Sequence, residues 1–235
     1  MKPVIGILGR PNFPDNKNSH ICVLERYRTA IIKAGGIPFL ILPPKLVEYN
    51  NTKTTDIDHL TAEEKEILDV QLNFCDGILI PGGYKIFNHD FYILEYSINN
   101  NIPILGICAG MQMMSNYNQE FWNEKNNNLQ IEHYQPEEQY AHEVYLEKES
   151  KLFEILKKDR IKVNSSHNYH AVKSGEYKIV GRSEDGIIEA LEYPNQDFNI
   201  GIQWHPEKLL GDKDQFAIIK GFISASSKYK KIKKI

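Results

Sequence analysis

The sequence predicts an α/β fold: a three-layer sandwich with a mostly parallel central sheet and a small antiparallel or mixed extension. Three observations predict it. Short, almost wholly apolar runs alternate with amphipathic stretches through the first half. Glycine or proline punctuates most of these runs. The second half changes to brief strand patterns separated by turns. Strands covered on both faces read as unbroken apolar runs, so such runs alternating with helices indicate a parallel sheet.

The elements follow in order. Residues 4–8 form an apolar strand, ended by Gly9-Arg10-Pro11, and residues 10–19 form a Pro/Asn/Asp-rich loop. Residues 23–34 have helical spacing, with Leu24, Tyr27, Ile31 and Ala34 on one side and Gly35-Gly36 as the stop. Residues 37–42 are a second strand before Pro43-Pro44, and residues 50–59 read as a polar surface excursion. Residues 62–74 form a helix, 77–80 a third strand, and Pro81-Gly82-Gly83 a tight turn. Residues 91–99 are helical, 102–107 a fourth strand, and 109–117 open the next helix. The asparagine-rich stretch 116–128 reads as a loop or lid. Residues 144–146, 177–180, 187–191 and 198–202 are short strands, and 216–224 a closing helix.

The chain has 235 residues, 41% hydrophobic and 25% charged, which suits one domain over 1–235 with a substantial core. Three widely spaced cysteines argue against a disulfide framework and for a reducing compartment. A net charge of -3 leaves no global electrostatic case for nucleic acid. The basic residues near the end mark a solvated tail over 226–235. With no signal-peptide pattern and no long apolar span, the expectation is a soluble, cytoplasmic protein with no membrane partner. No Cys/His spacing suggests zinc, and no glycine pattern fits a nucleotide loop, so neither a metal nor another cofactor is expected.

Chemistry concentrates at Gly106-Ile107-Cys108-Ala109-Gly110, between an apolar strand and a helical pattern. This is the G-x-nucleophile-x-G form of a nucleophile elbow. Side chains at the flanking positions of so sharp a turn would collide with neighbouring backbone, and glycine removes them. The turn presents the Cys108 sulfur at a helix start, whose dipole favours the reactive thiolate. A lone cysteine at a strand end is ordinarily a core thiol, the reading kept for Cys22 and Cys75. A nucleophilic cysteine needs a base. His205 ends a strand and precedes Pro206-Glu207. In extended backbone, residues two apart share a side, so Glu207 can orient the His205 ring. The oxyanion formed on an amide needs donors, which the backbone N–H groups of Ala109 and Gly83 can supply.

These blocks resemble the class I glutamine amidotransferase-like superfamily, whose fold is flavodoxin-like, and more narrowly the γ-glutamyl-γ-aminobutyrate hydrolase branch, peptidase family C26. The resemblance covers most of the chain. It rests on residues 2–7, on 27–38, and on Pro81-Gly82-Gly83, residues 106–112 and residues 201–207 in that order. It implies catalysis by Cys108, His205 and Glu207 through a γ-glutamyl thioester on Cys108. It also implies substrate contacts from Gly82, Gln112, Ser165, Ser166 and His167, the last three within Val163-Asn164-Ser165-Ser166-His167. His142 also fits a family pattern, as a structural residue. The chain departs from the family at Ala109, at residues 118–122, and at Asn168-Tyr169-His170-Ala171. All three positions bear on the amine half of a substrate.

The resulting expectation is a cysteine hydrolase of small γ-glutamyl amides, γ-glutamyl-γ-aminobutyrate or a γ-glutamylated polyamine. Its rival is a glutaminase subunit supplying ammonia to a separate synthetase partner. A binding protein that merely kept the fold is a third reading, disfavoured by the intact Cys108, His205 and Glu207. The sequence does not give the oligomeric state; a homodimer is one option, because this fold often pairs through surface helices in related proteins.

Overall fold

A computed structural model describes residues 1–12, 20–47, 49, 59–83, 85–118, 123–127 and 129–233. The expected features at residues 13–19, 50–58 and 119–122 lie outside these. In chain order the first half holds β1 (Val4–Leu8), β2 (Arg10–Asn12), β3 (His20–Cys22), α1 (Glu25–Ala34), β4 (Ile37–Ile41), α2 (Ala62–Asn73), β5 (Gly77–Ile80), α3 (Asn88–Asn99), β6 (Ile104–Ile107) and α4 (Ala109–Met114). The second half holds β7 (Asn123–Lys125), β8 (Tyr134–Gln135), β9 (His142–Leu146), α5 (Lys151–Leu156), β10 (Arg160–Val163), β11 (Ser165–Ser166), β12 (Tyr169–Ala171), β13 (Lys178–Ser183), β14 (Ile188–Glu192), β15 (Asn199–Ile202) and α6 (Lys213–Lys233).

Local chemistry sets several boundaries. Gly35 at φ 98° ends α1 in the left-handed region that L side chains avoid. Thr61 and Glu64 form a reciprocal capping box at the start of α2. Apolar runs become β1, β5 and β6, each buried along almost its whole length.

One nine-stranded sheet organises the chain, in the order β10-β9-β13-β14-β15-β6-β5-β1-β4. The run from β15 to β4 is parallel. The run from β14 to β10 is antiparallel, which is the expected extension. Two apolar layers flank the sheet. One packs Tyr27, Ile31, Ile218 and Phe222 from α1 and α6 with Leu152 and Leu156 of α5. The other packs Leu68, Ile93, Leu94 and Met114 from α2, α3 and α4. This is the expected three-layer sandwich.

Two sequence expectations need correction. The basic end is helical through Lys233, not a free tail. Lys230 Nζ donates to Asp76 Oδ2 at 2.8 Å, and Lys233 Nζ to the Asn73 carbonyl at 2.6 Å. Charge periodicity concealed an amphipathic helix whose lysines reach acceptors between the end of α2 and the start of β5. The stretch 116–128 is also not wholly a loop, since β7 within it pairs antiparallel with β12.

Candidate active site

The site is built where parallel strands end, at the join with the antiparallel extension. β6 runs straight into Cys108, whose backbone sits at φ 53° and ψ −110° before α4 begins. A non-glycine residue in that conformation is strained, and surrounding structure must hold it there. The flanking glycines allow it. A Cβ on Gly110 would run into the Ile80 carbonyl, and one on Gly106 into the Met114 sulfur.

Three side chains converge beside the Pro81-Gly82-Gly83 turn. A Cβ on Gly82 would lie 3.2 Å from His205 Cε1, 3.3 Å from Cys108 Cβ and 3.3 Å from the Tyr27 hydroxyl. A side chain there would press on all three groups. The Gly82 N–H donates to the Tyr27 hydroxyl at 3.0 Å. Arg10 steadies the same turn: it pairs with buried Asp90 at 2.7 Å and donates to the Pro81 carbonyl at 3.4 Å.

His205 Nδ1 lies 2.6 Å from Glu207 Oε1, and both residues are buried. The extended backbone expected there is absent. Pro206–Lys208 is a 3-10 turn, and the turn itself brings the carboxylate back to the ring. Burial works against a charge on His205. The Glu207 carboxylate, then the hydrogen bond and charge of Cys108, outweigh burial and hold the His205 pKa up at about 10. Burial, then the charges of Glu207 and Cys108, raise the Tyr27 pKa well above its ordinary value.

Asn164 grips the His205 backbone twice. Its Oδ1 accepts from the His205 N–H and its Nδ2 donates to the His205 carbonyl, both at 2.8 Å. Sequence reasoning passed over Asn164 and Tyr27. Asn164 stood in the V-N-S-x-H segment without a role, and Tyr27 looked like one more core residue of its helix. Neither partner is near in sequence, so no spacing could reveal them.

The remaining expected substrate residues are engaged within the fold. Gln112 Nε2 donates to the Tyr169 carbonyl at 2.6 Å and to Gln203 Oε1 at 3.1 Å. Ser165 Oγ donates to the His133 carbonyl at 2.7 Å. Ser166 is half-buried and accepts from Lys208 Nζ at 3.0 Å. His167 is buried, with Nε2 3.7 Å from Glu189 Oε1. Burial lowers the His167 pKa to about 4 and raises that of Glu189 to about 7. His167, His142, His133 and Glu189 form one buried group in the antiparallel extension. Sequence reading left His133 and Glu189 unremarked, although Glu189 is the one acid among the apolar residues 187–191.

Cys22 and Cys75 are both free thiols, and burial lifts the Cys75 pKa to about 12. Among the described residues no helix is long and apolar enough to cross a membrane.

Comparison with known proteins agrees with this architecture. The profile of the peptidase C26 family matches residues 3–207. A glutamine amidotransferase-like protein of Rickettsia prowazekii (strain Madrid E) is 25% identical, over 96% of this chain and 98% of its own. The γ-glutamyl-γ-aminobutyrate hydrolase PuuD of Escherichia coli (strain K12) is 29% identical, over 86% of this chain and 85% of its own. Two solved structures share the fold at 17% identity. One is a GMP synthase subunit from Thermoplasma acidophilum, with TM-score 0.67 over 100% of this chain and 99% of the other. The second is the glutaminase domain of Trypanosoma brucei CTPS with bound acivicin, with TM-score 0.65 over 96% and 94%.

Proposed function

Since this chain belongs to the peptidase C26 family, we propose that it hydrolyses γ-glutamyl amides through a glutamyl thioester on Cys108. The observation that carries this reading is the strained Cys108 turn beside His205, whose ring is held by Glu207 at 2.6 Å. The relative named as a γ-glutamyl-γ-aminobutyrate hydrolase supports the γ-glutamyl half of the substrate.

The chemistry follows from the atoms. The Cys108 sulfur attacks the γ-carbonyl carbon and forms a C–S bond. The Ala109 and Gly83 N–H groups receive the charge that develops on the carbonyl oxygen. The C–N bond then breaks, and the departing amine takes its proton from His205. Water attacks the thioester, gives a proton to His205 and releases glutamate and the free sulfur. Glu207 stabilises the imidazolium through both steps. Tyr27 and Asn164 position rather than react: one fixes the Gly82 turn, the other the backbone of the base.

In this reading Gly82 and Ser166 touch the substrate. Ser165, Gln112 and His167 bear on the substrate through the backbone segments they hold. The protein acts in the cytoplasm on a small substrate, and its amine half is γ-aminobutyrate or a related amine.

The test is a panel of γ-glutamyl amides with glutamate release as the readout. Release above the blank for the wild type and at the blank for Cys108→Ala is expected. Release equal to the blank in both would sink the proposal. A second reading, a glutaminase feeding a synthetase partner, is favoured by Ala109 after the nucleophile. Vigorous turnover of free glutamine by the isolated chain would count against it.

A further inference from the structure

Away from Cys108, four buried groups from separate elements converge. Glu189 lies on β14, His142 starts β9, His133 precedes β8, and His167 follows β11. Glu189 Oε1 stands 3.4 Å from His142 Nε2, 3.5 Å from His133 Nδ1 and 3.7 Å from His167 Nε2. One donor atom from each residue lies within 4.8 Å of all the others. Those three nitrogens and both Glu189 oxygens are buried, and none has a hydrogen-bond partner among the described residues.

The outward ring nitrogens decide what the inward ones can do. His133 Nε2 faces the Asp185 carboxylate at 3.2 Å, His142 Nδ1 the Glu143 carbonyl at 3.2 Å, and His167 Nδ1 the Tyr169 carbonyl at 3.0 Å. All three partners accept, and at His167 Nδ1 the Tyr169 carbonyl at 3.0 Å is nearer than the Asn126 amide nitrogen at 3.4 Å, so each outward nitrogen carries the hydrogen. In its neutral form each ring then points a lone pair inward. Three lone pairs and a carboxylate meet with no donor among them. Unmade polar contacts of this kind cost about 1–3 kcal/mol per group. A water has two hydrogens for four acceptors. A carboxylic proton on Glu189 serves one ring of three.

We propose that His133, His142, His167 and Glu189 form a closed site for a divalent transition-metal ion of the Zn²⁺ class. Zinc accepts imidazole and carboxylate at about 2.0–2.2 Å, which places tetrahedral ligand atoms about 3.3 Å apart. The three contacts to Glu189 lie close to that edge. Four protein ligands with no exposed face describe a structural ion, not one that activates water. Outward hydrogen bonds to a carboxylate and two carbonyls are the usual support for metal-bound histidines. The ion ties β9 and β14 to the segment carrying Asn164, which holds the His205 backbone.

Metal analysis of the full chain, purified without added chelator, tests this directly. About one equivalent of metal per chain is expected. It is kept in Cys108→Ala and lost in His142→Ala and Glu189→Gln. Asp185→Asn, which removes only a supporting carboxylate, weakens affinity by about 10–100-fold. After chelation, excess Zn²⁺ raises the melting temperature of the wild type by at least about 5 °C, and that of Glu189→Gln by none. Cobalt added to the chelated wild type develops the intense visible absorption of a four-coordinate ion, a measurement that needs no variant. Metal that disappears with Cys108→Ala would belong to the thiol and overturn the assignment. A metal-free wild type whose melting temperature ignores Zn²⁺, Co²⁺ and Mn²⁺ would overturn it too, leaving a cluster that shares protons.

Discussion

The parallel and antiparallel parts of the sheet handle polar side chains in opposite ways. β1, β5 and β6 bury only apolar residues and glycine, and the candidate site groups stand beyond strand ends, Cys108 after β6 and His205 after β15. β9 and β14 instead carry His142 and Glu189 inside the protein. The cause is what covers each part. Helices with apolar faces close both sides of β1, β5 and β6, so a polar side chain within those strands would have no partner. Segments with their own polar atoms cover the extension, bringing His133 and His167 against Glu189. One half is a rigid frame with chemistry at its rim. The other is a polar interior next to the segment whose Asn164 holds the His205 backbone.

Substitutions at the rim and in the polar interior separate these roles. Cys108→Ala has the largest effect: glutamate release falls by about 10⁶-fold, while the melting temperature stays within a few degrees. Glu207→Gln comes next. A loss of about 10³-fold in kcat/KM is expected, because the ring keeps an acceptor and loses the charge. The pH profile sharpens this test. The His205 pKa is raised to about 10, so the proton it gives the leaving amine is present below that value and lost as pH rises through it. In Glu207→Gln the alkaline limb moves to lower pH. The same shift links to stability: the His205 contribution is full below its unfolded pKa of about 6.5 and vanishes as pH rises through about 10.

Gly110→Ala acts on the frame. The new methyl meets the Ile80 carbonyl, and about 3 kcal/mol of stability is expected to go, measured by chemical denaturation. Asn164→Ala leaves the buried N–H of His205 unpaired, takes one of two donors from its carbonyl, which keeps the Lys208 N–H, and costs about 2 kcal/mol. It should lower kcat more than it raises KM, because Asn164 touches the base and not the substrate. Equal changes in both would place Asn164 at the substrate instead. Lys230→Ala is the smallest, at about 0.5–1 kcal/mol. It breaks a partly buried pair with Asp76 that fastens the end of α6, and high salt should shrink the difference.

Much of the frame is legible in the residues alone. The apolar runs became β1, β5 and β6 because an unbroken run has only one way to hide both faces. Cys108 was legible for a similar reason, since two glycines around a cysteine at a strand end solve a steric problem few other arrangements pose. His205 and Glu207 were legible as a pair, but not the geometry that joins them. The pair meets through a 3-10 turn, and the alternation of an extended strand has no part in it. The helix formed by the basic end was misread because its lysines find acceptors on segments more than 150 residues away.

The sequence by itself determined the layered α/β frame, the strained turn at Cys108 and the pairing of His205 with Glu207. Each depends on local sterics or on a hydrophobic pattern that neighbouring residues carry. Only the tertiary structure decided what surrounds them: Tyr27 under Gly82, Asn164 on His205, and His133, His142, His167 and Glu189 in one buried group. These contacts join residues far apart in the chain through atoms whose partners no local pattern encodes. Cross-strand register and loop packing, not spacing, bring them within reach.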